Sequence, residues 1–398
     1  MSSTNNAENL SEAIERMREK YRVEREKRLR PDGSDQFIEV KDQFAHFSKD
    51  PFVNEDAGRA RRNSKAEVVI VGGGFGGLLT AARFSTAGYT DICVIEEGGD
   101  FGGTWYWNRY PGAQCDIESY VYLPLLEELG YMPTEKYAHA DEIFNHSRAI
   151  GEHYGLYEQA LFQTRMVDAD WNEEAGTWSV LTDGGDKVEA QFLVLATGNL
   201  TRPKLPGIPG IEKFKGHIFH TSRWDYDYTG GDNRGGMTGL ADKRVAIVGS
   251  GATAVQAVPK LAQSAEHLFV CQRTPSTIDV RANGPTDKEW FSKLEKGWQQ
   301  ERIENLTNIL NGLPQAEDLV ADGWTDLMHK MIEANREAKK GGDRGVPPMR
   351  LAQYRKMEEI RARVDQCVED EAAAEALKPY YDMFCKRPCF HDEYLPSF

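Results

Sequence analysis

Two glycine-rich turns carry residue types and spacings that could do chemistry. The first is Gly72-x-Gly74-x-x-Gly77, set between the β-branched run of AEVVIVGGGFGG and an apolar helix pattern from Leu78 to Phe84. The second is Gly249-x-Gly251-x-x-Ala254, inside RVAIVGSGATA, with alanine as an accepted variant at the third position. Glycines in such a turn let the backbone approach a pyrophosphate. The helix that follows presents free N–H donors and the positive end of its dipole. Each turn is therefore a candidate cradle for a dinucleotide.

The next strand of each unit ends differently. Glu96 stands 24 residues after Gly72, closing the run DICVIE, and Arg273 stands 24 residues after Gly249, just past LFVCQ. A carboxylate there accepts hydrogen bonds from ribose hydroxyls and repels a 2′-phosphate, whereas arginine grips one through a charge-assisted fork. At a separation of about 4 Å and an effective dielectric near 20, reversing that charge is worth about 4 kcal/mol per unit interaction. The equal offsets predict one shared structural position. On that reading the first cradle takes a dinucleotide without a 2′-phosphate, for which FAD fits. The second takes NADP(H) rather than NAD(H). The turn Ala196-Thr197-Gly198 after FLVLA fits a backbone approach to the flavin nucleotide.

Two such cradles in one chain point to a flavoprotein that passes a hydride from NADPH to flavin. A disulfide reductase would need a redox cysteine pair. The six cysteines (Cys93, Cys115, Cys271, Cys367, Cys385, Cys389) contain no CxxC, and that class is excluded. Cys385 and Cys389 lack partners at metal-ligand spacing, so they are read as packing residues and no metal is expected.

Two longer motifs narrow the class. Residues 102–116 read Gly102-Gly103-x-Trp105-x-x-x-x-Tyr110-Pro111-Gly112-x-x-x-Asp116, and residues 214–225 read Phe214-x-Gly216-x-x-x-His220-x-x-x-Trp224-Asp225. Over roughly residues 66 to 398 the chain resembles the type I Baeyer–Villiger monooxygenases, which are class B flavoprotein monooxygenases. Related flavin N- and S-oxygenases carry a similar FxGxxxH stretch with a different aromatic ending, and Trp224-Asp225 favours the Baeyer–Villiger group.

The resemblance implies an NADPH- and O2-dependent enzyme that inserts an oxygen atom next to a ketone carbonyl. The product is an ester or lactone, reached through a C4a-peroxyflavin, with FAD and NADP(H) as cofactors. It carries over Arg387 as the catalytic arginine and Asp116 as the carboxylate that positions it. A permanently charged guanidinium suits the anionic peroxide and the oxyanion that follows. Thr104, Trp105, Tyr106 and Trp107 match residues lining the flavin, with ordinary aromatic core as the alternative. Gln114, Cys115 and Tyr122 flank the same wall, and Val167 matches a backbone contact to the flavin adenine. Ser250, Gly251, Thr253 and Gln256 match the NADP pyrophosphate loop, with Arg273, Thr274 and Lys386 around the 2′-phosphate. His220 and Trp224 match linker residues that transmit domain rotation. Family members continue well beyond CKRPCFHDEYLPSF, so a C-terminally truncated chain is expected, with an exposed sheet edge and apolar face in its flavin domain. The alternatives are a flavin N- or S-oxygenase and a truncated, non-catalytic NADP-binding remnant.

The elements that must position these residues follow an α/β pattern. Two Rossmann-like dinucleotide-binding domains, for FAD and NADP, are expected, with a helical insertion and an N-terminal helical extension. The boundaries read 1–62 for the extension, 63–206 for the first part of the FAD domain, 207–385 for the NADP domain with the insertion at 286–377, and 386–398 for the return to the FAD domain. Residues 164–196, around Asp183-Gly184-Gly185, read as an antiparallel meander feeding the buried strand FLVLA. Leu10, Ala13, Ile14, Met17 and Tyr21 recur at helical spacing. The basic run RMREKYRVEREKRLR is either a docking arm for an anionic partner or a solvated helix on the domain surface. EAKKGGDRGVPP (337–348) is expected as a loop.

The 398 residues suffice for two or three domains, at roughly 150 residues each. A net charge of −15 leaves no general attraction for nucleic acid or anionic lipid. No apolar run is long enough for a membrane span, and the N-terminus lacks an apolar signal core. The scattered cysteines form no disulfide framework, so a cytoplasmic enzyme acting on small molecules is expected.

Overall fold

The computed structural model describes residues 2–53, 61, 63–200, 202–338 and 347–398. They divide into two compact units, each discontinuous in sequence. The first comprises Ser34–Gly236 and Gly284–Gln299, and the second comprises Met1–Gly33, Met237–Asn283 and Gln300–Phe398. The architecture is α/β, with one dinucleotide-type strand–turn–helix–strand in each unit.

In the first unit the strands are β1 (Phe37–Glu39), β2 (Asn63–Val71), β3 (Ile92–Ile95), β4 (Ala160–Leu161), β5 (Met166–Asn172), β6 (Thr177–Thr182), β7 (Lys187–Leu195) and β8 (Lys204–Pro206). Six of them form a sheet in the order β4-β3-β2-β7-β6-β5. β4, β3, β2 and β7 run parallel, while β5, β6 and β7 form the antiparallel meander. Side chains of β2 alternate between the two faces. Val68 and Ile70 join Leu78, Ala81 and Ala82 of the helix Phe75–Thr86, with Ile92 and Val94 beside them. Val69 and Val71 pack on the other face with Cys93, Ile95, Val180 and Val188. Residues 284–299 group with this unit, although 286–299 are expected from the sequence within the helical insertion of the other domain. Tyr120 Oη donates to Thr286 Oγ1 (2.9 Å), and Gln299 Nε2 donates to Leu123 O (2.6 Å).

FLVLA is not the buried strand expected from the sequence. β7 is hydrogen-bonded to a strand on each side, yet Phe192 is 53% and Leu195 63% exposed. Backbone pairing within a sheet does not bury side chains. Burial needs an element laid on each face, and Phe192 and Leu195, which point to opposite faces of the sheet, are both left open among the described residues.

The second unit contains β9 (Arg244–Val248) and β10 (His267–Cys271), which pair in parallel around the helix Ala252–Ser264. A second parallel pair joins β11 (Ile278–Asp279) to β12 (Cys389–Phe390). Helices Gly323–Ala338 and Pro348–Cys367 pack through Leu327, Met331, Met357 and Ile360. Residues 339–346 of the expected loop lie outside the described residues, as do 54–60 and 62 of the extension.

Residues 1–33, expected as part of a separate extension, group with this second unit. The helix Ser2–Arg28 buries Ile14 and Tyr21 against Tyr354. Its outer face is laced by ion pairs at helical spacing, Arg18 with Glu15 and Arg22 with Glu19 and Glu26. Leu10 lies outside the residues whose side chains are described. Among the described residues no helix is long and apolar enough to cross a membrane.

Candidate functional site

The first cradle is built by close backbone approach. Gly72 adopts φ +111°, and a Cβ there would lie 2.4 Å from Ala196 O. A Cβ on Gly77 would lie 1.8 Å from Gly72 O, and one on Gly103 (φ +52°) would lie 2.7 Å from Gly74 Cα. Gly74 caps the helix Phe75–Thr86 without a side chain, which leaves the helix N-terminus accessible to a phosphate. The turn at Ala196 thus walls the glycine loop.

Glu96 is 5% exposed. Its carboxylate accepts from Gly73 N (2.5 Å) and Gly98 N (2.6 Å), so it also braces the glycine loop. Burial pushes its pKa up, and these two bonds pull it back down. A carboxylate has about four lone-pair sites, which leaves acceptor capacity for ribose hydroxyls beyond these two. The residues present therefore fit an adenine dinucleotide.

The aromatic wall is built on the short helix Thr104–Trp107. Thr104 is exposed, while Trp105, Tyr106 and Trp107 are buried. Trp105 Nε1 donates to Tyr122 Oη (3.0 Å), and Tyr106 Oη donates to Asp50 Oδ2 (2.6 Å). Trp107 Nε1 is buried without a hydrogen-bond partner, an arrangement that a bound group with an acceptor would relieve. Gln114 pairs with His139 in a β-bridge, and its Nε2 donates to Tyr137 O (2.7 Å). Cys115 N donates to Ala138 O (3.0 Å), which holds the bend carrying Asp116. Val167 sits at a register shift between Met166 and Asp168 and has no residue opposite it on β6. A bulge of this kind frees backbone groups for a ligand edge.

Two arginines that the sequence reading did not single out tie the long motifs together. The Arg223 guanidinium lies 3.7 Å from the centroid of the Trp107 ring. Arg109 lies over Phe52, Tyr106 and Phe144 at 4.0–4.5 Å. Tyr226 Oη donates to Arg109 O. Their only signal in the sequence was adjacency to motif positions. His220 accepts from Ser222 N (3.1 Å) as a helix cap. Burial pushes its pKa down, and the Arg223 cation adds to this.

The second cradle is more open. Gly249 adopts φ +119°, yet a Cβ on Gly249 or Gly251 would meet nothing within 4 Å. Gly251 caps the helix Ala252–Ser264, which carries Thr253 and the buried Ala254 and Gln256 in its first two turns. Ser250 Oγ donates to Thr274 O (2.6 Å), and Ser276 Oγ donates to Ser250 O, so the loop is stapled to the turn that follows β10. Lys386 Nζ donates to Thr274 O (2.8 Å) and Pro275 O (3.3 Å). Burial pushes the Lys386 ammonium down to about 8, and the Arg28 and Arg273 cations act in the same direction against Cys389. Cationic groups beside a glycine loop fit a phosphorylated ribose.

The structure corrects the equal-offset argument by one residue. Gly72 N donates to Ile95 O and Gly249 N donates to Cys271 O, both at 2.8 Å. Val71 faces Ile95, as Val248 faces Cys271. Glu96 therefore corresponds to Gln272, and Arg273 stands one position further, because the second connection is one residue shorter. The charge contrast survives. A neutral Gln272 replaces the acid, its Nε2 donating to Ala376 O (2.8 Å), and the exposed Arg273 follows at the strand tip.

Asp116 belongs to the first unit and Arg387 to the second. Arg387 is exposed, and its guanidinium lies 5.6 Å from the centroid of the Trp324 ring. It precedes β12, which is pinned firmly. Arg363 donates to Ile278 O (3.0 Å) and His391 O (3.1 Å), and Arg281 Nε donates to Phe390 O (2.9 Å). Asp392 accepts from Arg281 N and Ala282 N.

The profile of the family described as pyridine nucleotide-disulphide oxidoreductase matches residues 66–308. A Baeyer–Villiger monooxygenase, ATR8 of Stachybotrys chlorohalonatus, is 51% identical over 386 residues, covering 96% of this chain and 62% of that protein. The chain thus spans less than two thirds of that relative's length. The solved polycyclic ketone monooxygenase of Thermothelomyces thermophila superposes with a TM-score of 0.87 at 39% identity, covering 97% of this chain and 66% of that one. OTEMO, solved in complex with FAD and NADP, gives a TM-score of 0.66 at 26% identity, covering 84% of this chain and 64% of that one. All six cysteines here are free thiols, so the family profile is met through its dinucleotide folds rather than a redox disulfide. With both glycine turns and both long motifs in place, the chain belongs to the pyridine nucleotide-disulphide oxidoreductase family, and over nearly its whole length it is similar to Baeyer–Villiger monooxygenases.

Proposed function

We propose that the full-length protein is an NADPH- and O2-dependent monooxygenase that inserts one oxygen atom beside a ketone carbonyl. The balance is ketone, O2, NADPH and a proton in, and ester or lactone, NADP+ and water out. Contrasting strand tips beside two glycine loops carry this reading, one a buried carboxylate, the other an exposed arginine with a neighbouring lysine. FAD held in the first cradle would supply the hydride acceptor and the site of O2 activation. Glu96 would hold ribose hydroxyls, and the N-terminus of the helix Phe75–Thr86 would hold the pyrophosphate. Arg387 would hold the negative charge that develops on the ketone oxygen. Thr104, Trp105, Trp107, Gln114, Cys115, Tyr122 and Val167 would line the flavin. The enzyme is read as cytoplasmic, with small molecules as its partners.

The solved polycyclic ketone relative makes fused-ring ketones the first substrates to try. Full-length protein supplied with NADPH, O2 and cyclic ketones from one ring to several should form lactones. Flavin-loaded protein that yields none, or that yields only N-oxides and sulfoxides from amines and thioethers, overturns the proposal.

Arg273→Ala should raise the apparent KM for NADPH about tenfold or more, in line with a lost charge-assisted contact, and leave that for NADH nearly unchanged. Steady-state kinetics with both nucleotides decides this. Equal effects on both would contradict the 2′-phosphate role.

A further inference from the structure

We infer that Arg28, the last residue of the N-terminal helix, is a ligand of the 2′-phosphate of NADP(H), so that this helix completes the second cradle. The inference rests on reading that cradle as an NADP(H) site. It assigns the N-terminal segment a part in cofactor choice.

The helix is seated by an aromatic and cationic lock. Tyr21 meets Tyr354 edge-on with centroids 5.4 Å apart, and Tyr380 at 6.3 Å. Arg361 Nη1 donates to Tyr21 Oη (3.3 Å) and Pro379 O (2.7 Å), and Lys20 lies 4.7 Å from the centroid of Tyr380. This seating carries the helix C-terminus to residues 380–381. There Arg28 Nη2 donates to Tyr380 O (3.2 Å), with its side chain only 15% exposed.

Tyr381 is the shared landmark. The Arg28 guanidinium lies 5.9 Å and the Lys386 ammonium 6.0 Å from its ring centroid. Lys386 in turn reaches the carbonyls of Thr274 and Pro275, directly after Arg273. Three cations from three distant stretches of sequence thus gather at the tip of β10. The depressed pKa of Lys386 carries contributions from both Arg28 and Arg273.

The acids at the rim are already engaged. Glu24, 3.9 Å from Arg28, accepts from Lys27 (2.9 Å), and Asp32 accepts from Arg30 Nε (2.8 Å). Arg28, Arg273 and Lys386 therefore stand beside acids that Lys27 and Arg30 already pair, in a chain whose net charge is −15. Neighbouring like charges repel one another, and a dianion beside them removes that repulsion. The bond to Tyr380 uses one of the five guanidinium donors of Arg28, and phosphate suits that fork. The neighbouring glycine loop already selects a nucleotide, which makes the anion a ribose 2′-phosphate.

The test is calorimetric binding of adenosine 2′,5′-bisphosphate and of AMP to the full-length protein. Arg28→Gln should weaken the bisphosphate about tenfold and leave AMP unchanged. Arg28→Lys, which keeps the charge, should lose about threefold or less. A wild-type affinity for the bisphosphate in Arg28→Gln overturns the inference, as does an equal loss for both ligands, which would mark Arg28 as a helix clamp only. Arg273→Gln separates the two levels of the argument. If it alone weakens the bisphosphate, the inference falls and the NADP(H) reading stands. If the wild-type protein does not prefer the bisphosphate to AMP, both fall.

Discussion

Replacing Arg387 by alanine is expected to lower lactone formation about a thousandfold while leaving flavin reduction by NADPH measurable. Attack on a ketone carbonyl turns its oxygen into an anion that the site must stabilise. Removing a single aimed donor from such a site costs about a hundred- to a thousandfold in rate, and the guanidinium offers both charge and a fork. Hydride transfer to flavin develops no such oxyanion, so it keeps much of its rate. The β12 anchor on Arg281 and Arg363 does not depend on the Arg387 side chain, so the fold should survive. Anaerobic bleaching of the flavin measures reduction, and product analysis under O2 measures insertion. Wild-type lactone formation by Arg387→Ala would remove this residue from the catalytic role.

The second large effect concerns one methyl group. Gly77→Ala is expected to yield protein without flavin, destabilised by about 3 kcal/mol or more. The new Cβ would lie 1.8 Å from Gly72 O, in a loop already pressed against Ala196. Neither neighbour is a flexible side-chain tip, so the backbone itself must move and the cradle opens. The equivalent position of the second loop already holds alanine, Ala254, buried in the first turn of its helix. Ala254→Gly should therefore cost only about 1 kcal/mol, the helix-propensity difference. Flavin content after purification and thermal unfolding of the two variants provide the comparison. A fully flavinated Gly77→Ala protein would show that the loop is looser than its geometry implies.

Much of this protein was legible along the chain. The β-branched runs, the glycine turns and the apolar helices after them read as two dinucleotide units, and Asp183-Gly184-Gly185 marked the meander. These are local patterns, set by sterics among near neighbours and by the period at which apolar residues recur. Four features were decided by packing instead. Glu96 corresponds to Gln272 rather than Arg273, because a residue count includes the connection between strands, whose length differs between the units. The exposure of Phe192 and Leu195 at the end of β7 depends on what lies over each face there, which the strand's own sequence does not state. Arg223 meets Trp107 only through the folding of two motifs onto one another. Arg28 meets Tyr380 across 352 residues because Tyr21 and Arg361 seat the N-terminal helix. Residue type and spacing determined which chemistry the chain could carry. Tertiary packing decided which charges share a site, because contact between distant segments depends on buried shape and not on position along the chain.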